Sequence, residues 1–285
     1  MAITGLSKQA LYAWERRYNV VSPRRNAQGV RSYSENEVHR LQLLRQGVDK
    51  GHRIGTLAGL GLNELKEVVR SRVDASHAIV AELAEAVDRL DFPLIEQKLP
   101  FHFSTFGPGR FTRDLVLPVM SEIGKRVEAG STSIPGERFF STMIRMFLGQ
   151  ALHLTAGQLS APRILFATPE GELHDLALLA AAVSAQQLGC RAVCLGTQLA
   201  PDALALACAK TDVAVLCLSI SSLPRDLVIG ACRDIRLAIP PRTRLWVGGQ
   251  AVRDLRQSDV PGTRIYDDID DFDDAIRRIR VSMTL

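Results

Sequence analysis

At about 150 residues per domain, a chain of 285 residues is long for one domain and fits two, or three small ones. With 46% hydrophobic and 23% charged residues it has apolar surface enough for a core, which excludes a disordered chain. No run approaches the ~18 apolar residues of a bilayer span, and the first residues lack the basic-then-apolar layout of a secretory signal, so the expectation is a cytoplasmic protein without membrane contact. The net charge of +4 is unevenly placed: residues 1–72 hold 13 Lys and Arg against 6 Asp and Glu, a net +7, and the remainder is −3. A basic head on a mildly acidic body suits a polyanion at the head, although a solvated basic face is the plainer alternative.

Residues 8–17 predict a short helix with Ser7 as its N-cap and Leu11 and Trp14 on one face, ending near Tyr18-Asn19. Residues 20–33, with Pro23 and Gly29 between two β-prone stretches, predict a small hairpin or wing. Ser34 and Glu37 form a capping box for a helix carrying Val38, Leu41, Leu44 and Val48 as far as Gly51, and a short helix follows over Asn63–Arg70. Residues 73–158 have helical spacing with breaks at Pro93, Pro100, Gly107-Pro108-Gly109 and from Gly130 to Gly136, which predicts about four helices. From Arg163 five short β-prone runs (ILFAT, AVCLG, VAVLCLS, RLWVGG, RIY) alternate with helices, as in a parallel sheet covered on both faces. The acidic run from Asp267 opens a final helix. All five cysteines (Cys190, Cys194, Cys208, Cys217, Cys232) fall in this last region without Cys-x-x-Cys pairs, as buried reduced thiols would.

The expected fold is therefore α/β plus all-α. It comprises a winged-helix head (1–72), a four-helix bundle (73–160) and a Rossmann-like five-stranded parallel α/β domain (161–285).

The segments LSKQALYAWERRY, SPRR and GVRSYSENEVHRLQLLRQGVDKGHRI resemble the MerR family of bacterial transcription regulators over roughly residues 3–70. The resemblance implies that the helix with Trp14 to Tyr18 enters the major groove of an operator and that the wing grips the backbone beside it. It points to Arg16, Arg17, Tyr18, Arg24, Arg25, Arg31 and Tyr33 as DNA contacts, with Trp14 in the core. Arginine can bridge two phosphate oxygens or two guanine acceptors, and a tyrosine hydroxyl adds a neutral phosphate contact. For any one of them a surface charge, or for Tyr18 and Tyr33 a place in the core, is the plainer alternative. Members of the family open with a further helix about ten residues earlier, whereas this chain starts at its end with Ile3-Thr4-Gly5-Leu6-Ser7, which would leave the recognition helix short of a packing partner.

In the α/β region a histidine after the first strand, His174 in Glu172-Leu173-His174-Asp175-Leu176-Ala177, is by itself more often a surface or capping residue. The spacing points further. It resembles cobalamin-binding domains, in which Asp-x-His-x-x-Gly is followed by about 41 residues, Ser-x-Leu, 26 to 28 residues and Gly-Gly. Here 41 residues separate Ala177 from Ser219 and 26 separate Ser221 from Gly248-Gly249. The resemblance implies His174 as the cobalt ligand on the lower face, with Glu172 or Asp175 setting its tautomer. It also implies a slot for the displaced nucleotide tail beside Ser219 and Ser221, where Gly248 and Gly249 leave room. Ala177 stands for the motif's glycine and Ser221 for its leucine.

Head, bundle and cobalamin-binding domain in this order resemble the light-sensing carotenoid-gene repressors of the CarH and LitR kind. In those the bundle caps the upper cobalt face with Trp, nine residues, then Glu-His. The matching positions here are Val127, Glu137 and Arg138. Only the glutamate is kept, and an arginine, which stays protonated, is no cobalt ligand.

The reading is a ligand-responsive transcription regulator, not an enzyme. It binds a double-stranded operator as a homo-oligomer, dimer or tetramer, and cobalamin state controls its assembly and operator binding. The alternative is a regulator whose sensor holds another tetrapyrrole or no ligand and serves in oligomerisation. Val127 and Arg138 motivate that reading, with His102 and His153 as other possible metal ligands. A cobalamin-carrying methyltransferase or mutase component shares bundle and sheet, but the basic head and the lack of a catalytic partner domain speak against it. Serine hydrolysis fails because Ser219 lies in no Gly-x-Ser-x-Gly turn. If Arg31 meets phosphate, Arg31→Ala weakens binding to every DNA sequence and lowers the slope of log K against log salt by about one; an unchanged slope removes Arg31 from the phosphate contacts.

Overall fold

The structure, a computed structural model, describes residues 6, 8–25, 31–49, 52, 54–154 and 161–283. The expected cap at Ser7, the turn at Gly29 and the helix end at Gly51 lie outside them. The chain divides into two compact units, 1–79 and 80–285.

In the first unit α1 (Lys8–Tyr18) ends where Asn19 turns into the left-handed region, φ 48°. Strands β1 (Arg24–Arg25) and β2 (Arg31–Ser32) pair antiparallel, and α2 (Glu35–Asp49) follows. The capping box forms as expected: the Ser34 N–H donates to Glu37 Oε2 at 2.8 Å and the Glu37 N–H to Ser34 Oγ at 3.4 Å. Glu37 also accepts from the Ser22 N–H at 3.0 Å, which ties the hairpin base to α2. The short α3 (Ile54–Ala58) has no counterpart in the sequence reading. Leu11, Val20, Val21, Leu41, Leu44, Leu57 and Leu65 form the core, with Trp14 packed against it. Arg40 ties α2 to the segments around it, donating to the carbonyls of Val20 (2.8 Å), Leu60 (2.7 Å) and Ala58 (2.7 Å).

The expected boundary near residue 72 is replaced by one continuous helix, α4 (Leu62–Arg89). Residues 71–80 contain neither glycine nor proline, so nothing in that stretch stops a helix once started. The division between the units falls inside α4.

In the second unit, Val80–Arg89 of α4 joins α5 (Phe92–Arg110), α6 (Leu117–Glu128) and α7 (Ile134–Leu154). Asp91 caps α5, accepting from the Leu94 N–H at 3.2 Å, and Pro93 sits in the first turn where its missing N–H costs nothing. Pro100 lies inside α5, against expectation: the helix forgoes one hydrogen bond while Ile95 and Leu99 stay fully buried. The real break is Gly107, φ 72°, followed by a π-helical turn at Phe111–Val116 whose Phe111, Thr112, Leu115 and Val116 all face the core.

The sheet contains β3 (Arg163–Pro169), β4 (Arg191–Leu199), β5 (Val215–Ser219), β6 (Arg244–Gly248) and β7 (Thr263–Tyr266), all parallel, in the order β4-β3-β5-β6-β7. Alternate strand residues feed two cores. Leu165, Leu216 and Leu218 meet α9 (Pro201–Thr211) and α10 (Arg225–Ala238), whereas Ile164, Phe166 and Trp246 meet α8 (Leu176–Gln187) and α11 (Ile269–Met283). The order reverses between β3 and β5, the point where open α/β sheets receive ligands. All five cysteines are free, and four of them are buried. The bundle is fastened to the α/β layer by Arg113, which pairs with Asp270 and Asp273, and by Gln186 Nε2, which donates to the Leu152 carbonyl at 2.6 Å. Among the described residues no helix is long and apolar enough to cross a membrane.

Helices α4 and α7 touch backbone to backbone at Gly136, where an added Cβ would lie 2.1 Å from the Val87 carbonyl oxygen. Gly136→Ala is expected to lower stability by about 2–3 kcal/mol in urea unfolding, whereas Gly124→Ala, whose Cβ meets nothing, stays near wild type.

Candidate functional site

The loop after β3 turns at Gly171 and buries Glu172 completely. Its carboxylate accepts backbone N–H groups from His174 (2.9 Å), Ser221 (2.7 Å) and Ser222 (2.7 Å), the Ser222 hydroxyl at 3.1 Å and His174 Nδ1 at 2.7 Å. Burial pushes this carboxyl up, but the N–H donors of His174, Ser222 and Ser221 and the imidazole together outweigh it and hold it at about 2. An ionised carboxylate only accepts, so Nδ1 carries the proton shared with Glu172, and Nε2 is the ring nitrogen that Glu172 does not hold, on a side chain 65% exposed. That is how a metal-binding imidazole is prepared: one nitrogen anchored to a carboxylate, the other offered outward.

Beside this loop lies a cavity of about 330 Å³ between the carboxyl ends of β5 and β6 and the first turns of α8. Its walls include Ala177, Ala181, Ser219, Gly248, Gly249 and Tyr266. Ser219 Oγ and Tyr266 Oη are buried without a hydrogen-bond partner among the described residues. Burial also pushes the Tyr266 phenol up to about 12, so it stays a neutral donor. Two residues lining one cavity thus keep hydroxyls without a partner among the described residues, which fits a site where a ligand brings its own polar atoms. Gly249 (φ 110°) is required by the protein itself, since a Cβ there would lie 2.3 Å from the Ile220 carbonyl oxygen; at Gly248 the tightest neighbour is the Tyr266 carbonyl oxygen at 3.1 Å.

The remaining expected residues divide by place. Asp175 turns away from the imidazole to Arg145 of α7, with Nε–Oδ2 2.8 Å and Nη2–Oδ1 2.9 Å, so Glu172 alone sets the tautomer. Ser221 acts through its backbone and does not line the cavity. Val127, at the end of α6, is 48% exposed; Glu137 accepts from Ser141 Oγ at 2.6 Å; Arg138 is exposed, 3.7 Å from Glu137. His102 lies between the rings of Phe101 and Phe106, and His153 is exposed on the last turn of α7. Among the described residues no group of three or more His, Cys, Asp or Glu could hold a metal ion, so a metal here would rest on His174.

In the head, Arg16, Arg17, Tyr18 and Arg24 are exposed. The backbone of Arg25 pairs with Arg31; its side chain lies outside the description. Arg31 and Tyr33 are turned toward α1. Tyr33 Oη donates to Glu15 Oε1 at 2.5 Å, Arg31 Nε is 3.2 Å from Glu15 Oε2, and the Arg31 guanidinium lies 4.0 Å above the Tyr12 ring.

Residues 1–61 match the MerR HTH family regulatory protein domain. The chain is 29% identical over 263 residues to the HTH-type transcriptional repressor CarH of Myxococcus xanthus, covering 88% of this chain and 87% of that one. The chain is a transcriptional regulator with a MerR HTH domain at its N-terminus. A second repressor of that organism, the HTH-type transcriptional repressor CarA, is 26% identical over 76% of the regulator and 73% of its own length. The bundle and sheet have the fold of the monomethylamine corrinoid protein of Methanosarcina barkeri: TM-score 0.55, 14% identity, 70% of the regulator and 96% of that chain.

Three residues of the site escape a sequence reading. Ser222 and Arg145 belong to no motif, and Tyr266 sits in a four-residue edge strand where an aromatic reads as packing. Because the Glu172 carboxyl is held low, its contribution to stability is fully present above its ordinary value of 4.5 and is lost as pH falls toward 2. Glu172→Gln should thus be less stable than wild type at neutral pH in denaturant unfolding, and the gap should narrow as pH falls from 4.5 to 2; a constant gap contradicts the assignment.

Proposed function

We propose that this regulator binds an operator through its head and senses a cobalamin with its second unit, where His174 would be the residue that holds the cobalt. The observation that carries the reading is the pairing of His174, anchored through Nδ1 to a buried ionised glutamate, with a neighbouring cavity lined by Ser219 and Tyr266, whose hydroxyls have no partner among the described residues. A corrinoid supplies when bound a cobalt centre with an exchangeable axial position. The chain's part is to offer the imidazole, to keep its tautomer through Glu172, and to seat a nucleotide tail beside Ser219, Tyr266, Gly248 and Gly249. A cavity at the strand ends with room for a nucleotide tail favours a cobalamin over haem or a bilin, which carry no such tail.

Arg16, Arg17, Tyr18 and Arg24, exposed on α1 and the hairpin, would meet DNA, with Arg25 beside them. Arg31 and Tyr33, held by Glu15, would set the angle of the wing as well as contact the backbone. Operators of such regulators are two-fold symmetric, which favours a dimer or a larger homo-oligomer in the cytoplasm, with ligand state governing assembly. Val127 and Arg138 in place of a tryptophan and a histidine favour upper-face chemistry different from that of the light-sensing repressors.

Titrating the protein with adenosyl-, methyl- and hydroxocobalamin in the dark and after illumination, beside His174→Ala, haem and biliverdin, tests the reading. The expected result is a cobalamin spectrum with an axial imidazole that His174→Ala abolishes, and light scattering that reports different sizes for the ligand-free and loaded protein. No cobalamin binding, with haem or biliverdin bound instead, would move the assignment to another tetrapyrrole.

A further inference from the structure

The loop that carries His174 is held from two sides. On one side Glu172 anchors it to the end of β5 through Ser221 and Ser222. On the other, the bundle reaches it directly: Arg145 of α7 takes Asp175, the residue after His174, in a two-point grip. Asp175 stands at the N-cap of α8, where an aspartate ordinarily turns its side chain to its own helix, yet it makes no capping hydrogen bond. The local preference is given up for the arginine.

Stability is a poor explanation for that choice. Arg145 is 46% exposed and Asp175 21%, and exposed ion pairs contribute little. Nor is the pair needed to dock the bundle, which Arg113 fastens to Asp270 and Asp273, and Gln186 to Leu152. What the pair does alone is fix the backbone on the far side of the imidazole, and a planar two-point fork fixes direction as well as distance.

We propose that Arg145 is a positioning residue for the axial imidazole: through Asp175 it fixes where the loop presents His174, and so gives the bundle a hold on the lower cobalt ligand. This rests on the cobalamin reading above. It also places a bundle contact on the lower side in a chain whose upper-side positions carry Val127 and Arg138.

The test uses the full chain as wild type, Arg145→Ala, Arg145→Lys and the charge exchange Arg145→Asp with Asp175→Arg. Each is loaded in the dark near pH 7 with methylcobalamin and freed of excess by gel filtration. The spectrum then gives the ratio of imidazole-ligated to five-coordinate bound corrinoid, and hydrogen exchange of amides 173–176 is followed in the ligand-free protein. Arg145→Ala is expected to keep its corrinoid, to lower the ratio about tenfold and to speed exchange about tenfold. Lysine should recover part of the loss and the charge exchange more. Wild-type spectrum and exchange in Arg145→Ala overturn the inference alone. A wild-type protein that binds methylcobalamin without an axial imidazole, or binds none, overturns it together with the cobalamin reading.

Discussion

A buried carboxylate with no water to solvate it must be compensated or protonated, and Glu172 is compensated. Its donors come from two separate loops, its own after β3 and the one after β5, so the charge draws together the two strand ends on either side of the point where the sheet order reverses. Once those donors are committed, the rest follows. The loop between β3 and α8 has one conformation, the imidazole one tautomer, and Nε2 one direction in which to act. Exchanging the glutamate for an apolar residue would leave three N–H groups unpaired and the ring free to choose either nitrogen.

The neighbouring cavity complements this arrangement. Glu172 uses polar groups that satisfy one another, whereas Ser219 and Tyr266, at the ends of nearby strands of the same sheet, have hydroxyls without a partner among the described residues. A protein keeps such groups buried at a cost in stability, and the cost is sensible where a ligand returns the hydrogen bonds. The bundle contributes Arg145, which grips Asp175 beside His174. Among the polar contacts between described residues of the bundle and the α/β layer, Arg113 ends on α11 and Leu152 meets Gln186 of α8, whereas Arg145 ends on Asp175.

Much of this was legible in the sequence, for physical reasons. Each of the five β-prone runs became a strand because a doubly covered parallel sheet needs unbroken apolar runs, a pattern little else produces. The intervals from Ala177 to Ser219 and from Ser221 to Gly248 placed the loop after β3, the end of β5 and the end of β6 side by side, since the topology fixes what lies between them. What stayed hidden depends on backbone or on distance. Ser221 was read as a side chain lining the slot but contributes its N–H; Ser222 and Arg145 are neighbours of the site only in three dimensions. The continuity of α4 is not legible in the sequence, because a change of partner along a helix leaves no mark in its periodicity. Pro100 does not stop α5, because one lost hydrogen bond is small beside the burial of Ile95 and Leu99.

The central claim is that His174 Nε2 is the lower ligand of a protein-bound cobalt. Electron paramagnetic resonance of the cobalt(II) form, in protein whose histidines carry nitrogen-15 while the cobalamin carries nitrogen-14, reads that bond without reference to DNA or light. The account predicts axial nitrogen splitting into doublets, from a spin-half nucleus supplied by the protein. Triplets, from the cofactor's own benzimidazole, or no nitrogen splitting at all, would contradict it.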